Sequence, residues 1–219
     1  VSVQGSLAMS AIHKFGSEEQ KAEWLPRMAT GEAEMKAAMD QMMALAPEHA
    51  LVLGGRDRRA LDALVTELRP LAHGPVNALP CELADPTDRE RFLSELGNLC
   101  DQLGAPVQVL VNNAGAAHSA PLARTDDERW AALMALNLTA PFALTRALVP
   151  GMLRIGWGRI VNIASTAALK GYAYTSAYAA SKAGLVGLTR ALAVELASKR
   201  VTVNAVCPGF TDTDIVARA

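Results

Sequence analysis

The most constraining feature of this chain is a regular alternation of apolar and amphipathic segments that begins near residue 50. The apolar segments have the length and composition of buried strands, and the segments between them have helical periodicity. Strands are predicted at residues 50–54, 76–81, 107–115, 158–165 and 201–209, and helices at residues 58–69, 86–103, 126–148 and 176–198. Asp85 is the expected N-cap of the second helix. The alternation predicts an α/β fold in which helices cover both faces of a parallel sheet.

The composition fits one such domain and excludes several other classes of protein. The 219 residues are 51% hydrophobic and 20% charged, with a net charge of -1, and they lack the basic cluster that nucleic-acid binding requires. The sequence contains no stretch of about twenty apolar residues, so no membrane span is expected. Cys81, Cys100 and Cys207 are odd in number and lack metal-ligand spacing, so we expect no metal site and reduced thiols in a cytoplasmic compartment. The histidines are scattered and are expected at the surface or in loops: His13, His49, His73 and His118.

Three polar residues in the second half of the chain can perform proton transfer at a carbonyl group. Tyr178 and Lys182 are four residues apart, so they lie on the same face of one predicted helix. A nearby ammonium favours the phenolate, and the spacing therefore predicts a lowered pKa for Tyr178. Ser165 ends the preceding strand and could hold the carbonyl or alkoxide oxygen. Taken alone, the tyrosine and lysine could equally be an aromatic residue packed on a helix beside a solvated lysine.

The order and spacing of these residues resemble the classical short-chain dehydrogenase/reductase family, with a Rossmann-like fold, over about residues 45–219. The sequence of residues 158–209 is most similar to ketoreductases that act on β-ketoacyl thioesters. The matching residues are Asn112, Asn113, Ala114, Gly115, Asn137, Ser165, Tyr178, Lys182, Pro208, Gly209, Thr211 and Thr213. Tyr174 does not fit the pattern, because the residue four positions after it is Tyr178 rather than a lysine.

The resemblance implies a catalytic group formed by Ser165, Tyr178, Lys182 and Asn137, with Asn137 interrupting its helix to hold a water near Lys182. An alternative role for Asn137 is a hydrogen bond between helices. The implied cofactor contacts are Arg56, Glu82, Leu83, Asn113, Ala114, Gly115, Tyr178, Lys182, Pro208, Gly209, Thr211 and Thr213.

Arg56 decides the expected cofactor. It follows the first predicted strand, where members of the family bind the adenosine ribose of the cofactor. A guanidinium at this position can form charge-assisted hydrogen bonds with a 2′-phosphate. NADP(H) is therefore preferred and NAD(H) is possible, with the neighbouring Asp57 as the opposing observation. Arg56 could also be an ordinary solvated loop arginine.

The first part of the chain departs from this family. No strand followed by T-G-x-x-x-G-x-G, the loop in which glycines close on a pyrophosphate, precedes residue 50. Residues 1–32 instead resemble a fragment of an acyl-CoA dehydrogenase, and Ser17 with Gln20 forms a capping box that predicts a helix. We therefore expect a helical leader at 1–44 and an incomplete Rossmann-like domain at 45–219, which lacks the first strand, the glycine loop and the C-terminal end.

The expected function is an NADP(H)-dependent oxidoreductase that interconverts a ketone and a secondary alcohol, such as a 3-oxoacyl thioester and its 3-hydroxyacyl product. Two alternatives stay open: an inactive remnant that acts only as an assembly module, and a fragment of an acyl-CoA dehydrogenase. The resemblance also implies a homo-oligomer, dimer or tetramer, formed through the helices predicted at 126–148 and 176–198.

Overall fold

The predicted alternation of strands and helices is confirmed in the computed structural model, which describes residues 50–70, 72 and 74–209. The elements are β1 (Leu51–Gly55), α1 (Arg58–Leu68), β2 (Val76–Pro80), α2 (Pro86–Leu103), β3 (Val109–Asn112), α3 (Asp127–Met134), α4 (Ala140–Ile155), β4 (Gly158–Ile163), α5 (Ser176–Leu196) and β5 (Val201–Val206). The leader predicted at 1–44, including Ser17 and Gln20, lies outside the described residues, as do His13, His49, His73, Thr211 and Thr213.

Aspartate side chains begin the first two helices. The carboxylate of Asp57 accepts hydrogen bonds from the backbone N–H groups of Arg59 and Ala60, and Asp85 caps α2 in the same way. These caps satisfy backbone donors that have no partner within a helix. The prediction that Asp85 caps a helix over 86–103 is confirmed.

The long helix predicted at 126–148 is interrupted and runs further than expected. Residues Ala135–Thr139 form a π-helical segment between α3 and α4, with Asn137 inside it, so the expected interruption at Asn137 is confirmed. The helix then continues through Pro150 to Gly156, whose left-handed backbone ends it. Met152, which is fully buried, packs in the core and holds these last turns in place despite the proline.

The segment Asp127–Ile155 is a long, largely apolar helical stretch that polar residues such as Asn137 and Arg146 interrupt. Among the described residues it is the one helix that is long and apolar enough to cross a membrane, a test that core helices of soluble proteins also pass. Leu133, Leu144 and Met152 on this helix are buried in the protein interior.

The strands of the described residues form two parallel sheets rather than one. One has the order β1-β2 and the other the order β3-β4-β5. A common hydrophobic cluster joins them: Val52 of β1 and Leu110 of β3 both pack against a cluster that contains Phe92 and Leu144. Within the described part of the chain, every strand except β4 has one unpaired edge.

Helices cover the two sheets unequally. The sheet β1-β2 packs against α1 on one face and α2 on the other. The sheet β3-β4-β5 packs against α4 and α5 on one face, whereas Val109, Val111 and Val206 on its strands are at least 37% exposed.

Candidate active site

The predicted site residues follow the carboxyl ends of the strands. Arg56 follows β1, Glu82 follows β2, Asn113 follows β3, Ser165 follows β4 and Pro208 follows β5. Because the strands within each sheet are parallel, residues that follow neighbouring strands lie at the same edge. The fold therefore provides the edge at which α/β proteins bind ligands.

Tyr178 and Ser165 are brought together. Ser165 begins a short 3₁₀ turn, where its hydroxyl accepts a hydrogen bond from the N–H of Ala167 at 3.1 Å. Burial raises the pKa of the Tyr178 phenol above its usual value of 10.0, and the hydrogen bond to the Ser165 side chain acts in the opposite direction. The phenol therefore stays protonated at neutral pH.

This result corrects the expectation that Lys182 lowers the pKa of Tyr178. The desolvation of the phenol outweighs the favourable interactions of the phenolate. The ammonium of Lys182 instead donates a 2.7 Å hydrogen bond to the carbonyl of Ile163, the last residue of β4.

Lys182 is itself strongly perturbed. It is 5% exposed, and burial lowers its pKa from 10.5 to about 8, an effect that the nearby Cys207 partly opposes. A Cβ atom placed on Gly115 would lie 3.2 Å from both the Lys182 Nζ and the Asn137 Oδ1. The backbone of Gly115 thus passes directly over these two groups, at a distance that a side chain there would crowd.

Asn137 joins the loop after β3 to α5. Its Oδ1 accepts a hydrogen bond from the N–H of Ala116, and its Nδ2 donates to the Ala116 carbonyl and to the Ser181 hydroxyl at 3.0 Å. Ser181 in turn donates to the carbonyl of Tyr178. The structure therefore contains the hydrogen bond between helices that was the alternative interpretation of Asn137.

At the ends of β1 and β2, two of the predicted cofactor contacts lie together and a third does not. The guanidinium of Arg56 is 3.9 Å from the carboxylate of Glu82, and both side chains are exposed. Leu83 is 8% exposed and packs in the core with Phe92, so its side chain does not reach the open edge. Asp57, whose carboxylate caps α1, is occupied by that role.

Two site neighbours were not identified from the sequence. Cys207 lies close enough to Lys182 for their charges to interact, and Asn162 lies inside β4, where it is 1% exposed. A signal for Asn162 was present, since an amide within an apolar strand needs a buried partner. The signal for Cys207 was weaker, because a thiol at a strand end is compatible with many surroundings.

Tyr174 is more exposed than Tyr178. It is 62% exposed, its φ of 66° lies in the left-handed region, and its carbonyl accepts a 2.8 Å hydrogen bond from the N–H of Ala120. The sequence-based exclusion of Tyr174 agrees with this position.

Comparison with known proteins identifies the family. The short chain dehydrogenase family model matches residues 36–219. This chain belongs to the short-chain dehydrogenase/reductase family. Residues 1–32 match the model of the acyl-CoA dehydrogenase N-terminal domain, in agreement with the second predicted resemblance.

The relatives of this family member include ketone and 3-hydroxy acid oxidoreductases. The D-beta-hydroxybutyrate dehydrogenase of Cupriavidus necator is 49% identical over 49% of this chain and 42% of its own length. The 3-oxoacyl-acyl-carrier-protein reductase of Pseudomonas aeruginosa is 43% identical over 60% of this chain and 53% of its own length. The chain thus spans about half the length of these curated relatives.

Solved structures confirm the Rossmann-like fold. A NAD⁺-bound xylitol dehydrogenase superposes with a TM-score of 0.69 at 27% identity, over 76% of this chain and 63% of the other. The predicted fold class is therefore confirmed, and the chain is a ketoreductase-like member of an oxidoreductase family.

Proposed function

We propose that this chain interconverts a ketone and a secondary alcohol with NADP(H). The observation that carries the proposal is the grouping of a protonated phenol, a hydroxyl and a buried ammonium at the end of β4. Tyr178 hydrogen-bonds Ser165, and Lys182 hydrogen-bonds the carbonyl of Ile163, two residues before Ser165. A proton donor beside a hydroxyl is what the oxygen of a carbonyl substrate requires.

The residues present fit a nicotinamide cofactor at this edge. An ammonium has three N–H donors, and in the described part of the chain Lys182 uses one of them, toward Ile163. Gly115 brings its backbone close to the Lys182 ammonium, where a side chain would be crowded, so Lys182 and the backbone of residues 113–115 would hold the nicotinamide half. When bound, the cofactor would supply or accept the hydride.

Each member of the trio then has one task in reduction. Ser165 positions the carbonyl oxygen, and Tyr178 delivers the proton to that oxygen as the hydride arrives at carbon. The raised pKa of Tyr178 keeps the phenol protonated before the reaction. Lys182, charged below a pH of about 8, would hydrogen-bond the ribose of the nicotinamide half. Proton transfer by such a placed group typically contributes about 10²- to 10⁴-fold to the rate.

The preferred substrates are 3-oxoacyl thioesters or their 3-hydroxyacyl products. The named activities of the Pseudomonas and Cupriavidus relatives both involve oxygen at the third carbon of an acyl group. The test is reduction of acetoacetyl-CoA, followed as loss of NADPH absorbance, together with calorimetric titration of NADPH. Saturable binding and turnover are expected. No binding at millimolar NADPH would contradict the proposal.

Arg56 provides the preference for NADP(H). Its exposed guanidinium stands at the end of β1 with a weak ionic contact to Glu82, and it can form a bidentate pair with a 2′-phosphate. We expect Arg56→Ala to raise the KM for NADPH by about tenfold, the loss of one charge-assisted contact, and to leave the KM for NADH unchanged.

Arg58→Ala is the matched control for Arg56→Ala. Arg58 is also exposed, two residues away, but its guanidinium pairs with Asp62 on α1. Equal effects of the two substitutions on the KM for NADPH would contradict the assignment to Arg56.

The alternative of a non-catalytic assembly module is favoured by one observation. Trp130, Phe142 and Val194, on α3, α4 and α5, are 43%, 43% and 83% exposed. We propose that these helices form a homo-oligomer, a dimer or tetramer, whether or not the chain turns over substrate. Light scattering on the calorimetry sample tests this, and a mass of one 23.1 kDa chain would contradict it.

We further propose that the chain works in the cytoplasm as a domain at 45–219 preceded by a leader at 1–44. All three cysteines are free thiols, in keeping with a reducing compartment. Expression of residues 45–219 alone tests the division, because a separate domain would bind NADPH as the full chain does.

A further inference from the structure

A chain of three buried polar side chains runs through the core beneath the site. Asn112 Nδ2 donates to Asn162 Oδ1 at 2.8 Å, and Asn162 Nδ2 donates to the Thr189 hydroxyl at 2.9 Å. Thr189 completes the chain by donating to the carbonyl of Leu185 at 2.7 Å. We call Asn112, Asn162 and Thr189 the polar clamp. They are 6%, 1% and 5% exposed.

The surroundings of the polar clamp are apolar. Ile160, two residues before Asn162 on the same face of β4, and Leu185, one turn before Thr189 on α5, are each at most 1% exposed. Valine or leucine side chains would fill these positions without hydrogen bonds, and a buried amide without a partner destabilises a protein. Amide side chains add specificity to this packing. Their hydrogen bonds form only when the two strands, and the strand and the helix, are aligned in one register.

Each member of the polar clamp is adjacent in the chain to one segment of the site. Asn112 directly precedes the loop that contains Gly115. Asn162 directly precedes Ile163, whose carbonyl accepts the Lys182 hydrogen bond. Thr189 lies seven residues after Lys182, two turns along the same buried face of α5. The clamp therefore joins three segments that must keep their relative positions for Lys182 to stay in place.

We propose that Asn162 and Thr189 are positioning residues that hold α5 on β4 in the register that keeps the Lys182 ammonium against the Ile163 carbonyl. This proposal rests on the function proposed above, since the placement of Lys182 matters to that reaction. The side chains of the clamp touch neither substrate nor reacting atoms and act through Lys182.

The test compares Thr189→Val with two matched controls. Thr189→Val keeps the volume of the side chain and removes both its hydrogen bonds. Thr189→Ser keeps the hydroxyl. Thr145→Val makes the same chemical change at another buried threonine, on α4, whose hydroxyl has no partner among the described residues.

The readout that distinguishes positioning from simple stability is the titration of Lys182. It can be followed by NMR of ¹³Cε-labelled lysine, with the resonance assigned by Lys182→Met. The unmodified chain, Thr189→Ser and Thr145→Val are expected to titrate near pH 8. Loss of the clamp in Thr189→Val would admit water to the Lys182 ammonium. The titration midpoint of Lys182 is then expected to rise by at least about one pH unit toward 10.5.

Kinetics provide the second readout. Thr189→Val should lower kcat for acetoacetyl-CoA reduction about tenfold or more, with the KM for NADPH changed less than twofold, and Thr189→Ser should restore most of the rate. A Thr189→Val chain with an unchanged Lys182 midpoint and only a lower Tm would overturn the proposal. If Thr189→Val does not fold, Thr189→Cys, which weakens the hydrogen bonds at similar volume, is judged by the same criteria.

The positioning proposal and the proposed function fail in separate measurements. An unmodified chain that does not bind NADPH or reduce the substrate contradicts the function, because Thr189 and Asn162 are unchanged in it. A Lys182 midpoint that is the same in Thr189→Val as in Thr145→Val contradicts the positioning role, because the NMR titration does not depend on turnover.

Discussion

Burial decides how the two ionisable residues of α5 behave. It raises the pKa of Tyr178 and lowers the pKa of Lys182 to about 8, so each group is shifted toward its neutral form. The sequence identified both residues and their shared helix face, because spacing of i and i+4 is visible in a sequence. The predicted direction for Tyr178 was wrong, because desolvation depends on packing from other elements.

Lys182 should make stability depend on pH between about 8 and 10.5. In this range the unfolded chain carries the proton on Lys182 and the folded chain does not, because the folded pKa is the lower one. Stability therefore rises with pH across the range. The unfolding free energies of the unmodified chain and of Lys182→Met are measured by urea titration at pH 7 and pH 9.5. The stability of the unmodified chain relative to Lys182→Met should be greater at pH 9.5 than at pH 7.

Lys182→Met also removes the hydrogen bond to Ile163, but that loss is present at both pH values. The other groups with shifted pKa values, such as Cys81, occur in both proteins and cancel in the difference. Cys207, whose charge interacts with Lys182, is the exception, so the comparison is made with Cys207→Ala in both proteins. A difference that is equal at pH 7 and pH 9.5 would contradict a depressed pKa for Lys182.

At the scale of elements, sequence patterns placed the helices and strands well where local signals mark their ends. Asp85 and Gly104 bound α2 at the predicted residues, since a capping carboxylate and a left-handed glycine act locally. The end of α4 was predicted at 148 but lies at Ile155, because the packing of Met152 in the core extends the helix past Pro150. The burial of Leu83 was not predicted, because it depends on packing against α2, and its contact with a cofactor stays a prediction.

The junction between α4 and β4 depends on a glycine for space. A Cβ atom on Gly158 would lie 2.6 to 2.8 Å from side-chain atoms of Met152, which is fully buried. Gly158→Ala is therefore expected to destabilise the protein by about 1 to 3 kcal/mol, measured by urea unfolding.

Gly97→Ala is the control for Gly158→Ala. Gly97 lies in the exposed middle of α2, where a Cβ atom would meet no described neighbour within 4 Å beyond its own helix. Alanine there should stabilise the helix by about 0.5 to 1 kcal/mol. If Gly158→Ala were as stable as Gly97→Ala, the close contact with Met152 would be refuted.

At the scale of the whole molecule, the described residues form two sheets that share a core but no strand pairing. The sequence predicted that the first strand and its glycine loop are absent, and residues 1–49, where they would stand, lie outside the described part of the chain. It could not show that α2 would keep the sheets together through Phe92, whose cluster includes residues of both. Relative placement of this kind depends on contacts between residues far apart in the chain.

The site depends on the same long-range placement. Ser165, Tyr178 and Lys182 were predicted to act together, and β4 and α5 bring them to one strand end. The polar clamp was not predicted, because its three residues are 50 and 27 positions apart, and only the fold makes them neighbours.

The most direct test of the proposed chemistry is the turnover of Tyr178→Phe, which removes the proton donor and keeps the ring. The rate of acetoacetyl-CoA reduction by NADPH should fall by about 10² to 10⁴-fold, with the circular dichroism spectrum unchanged. Tyr174→Phe, the same change at the exposed tyrosine, should retain the full rate. A Tyr178→Phe chain that reduces the substrate as fast as Tyr174→Phe would contradict the assignment of Tyr178 as the proton donor.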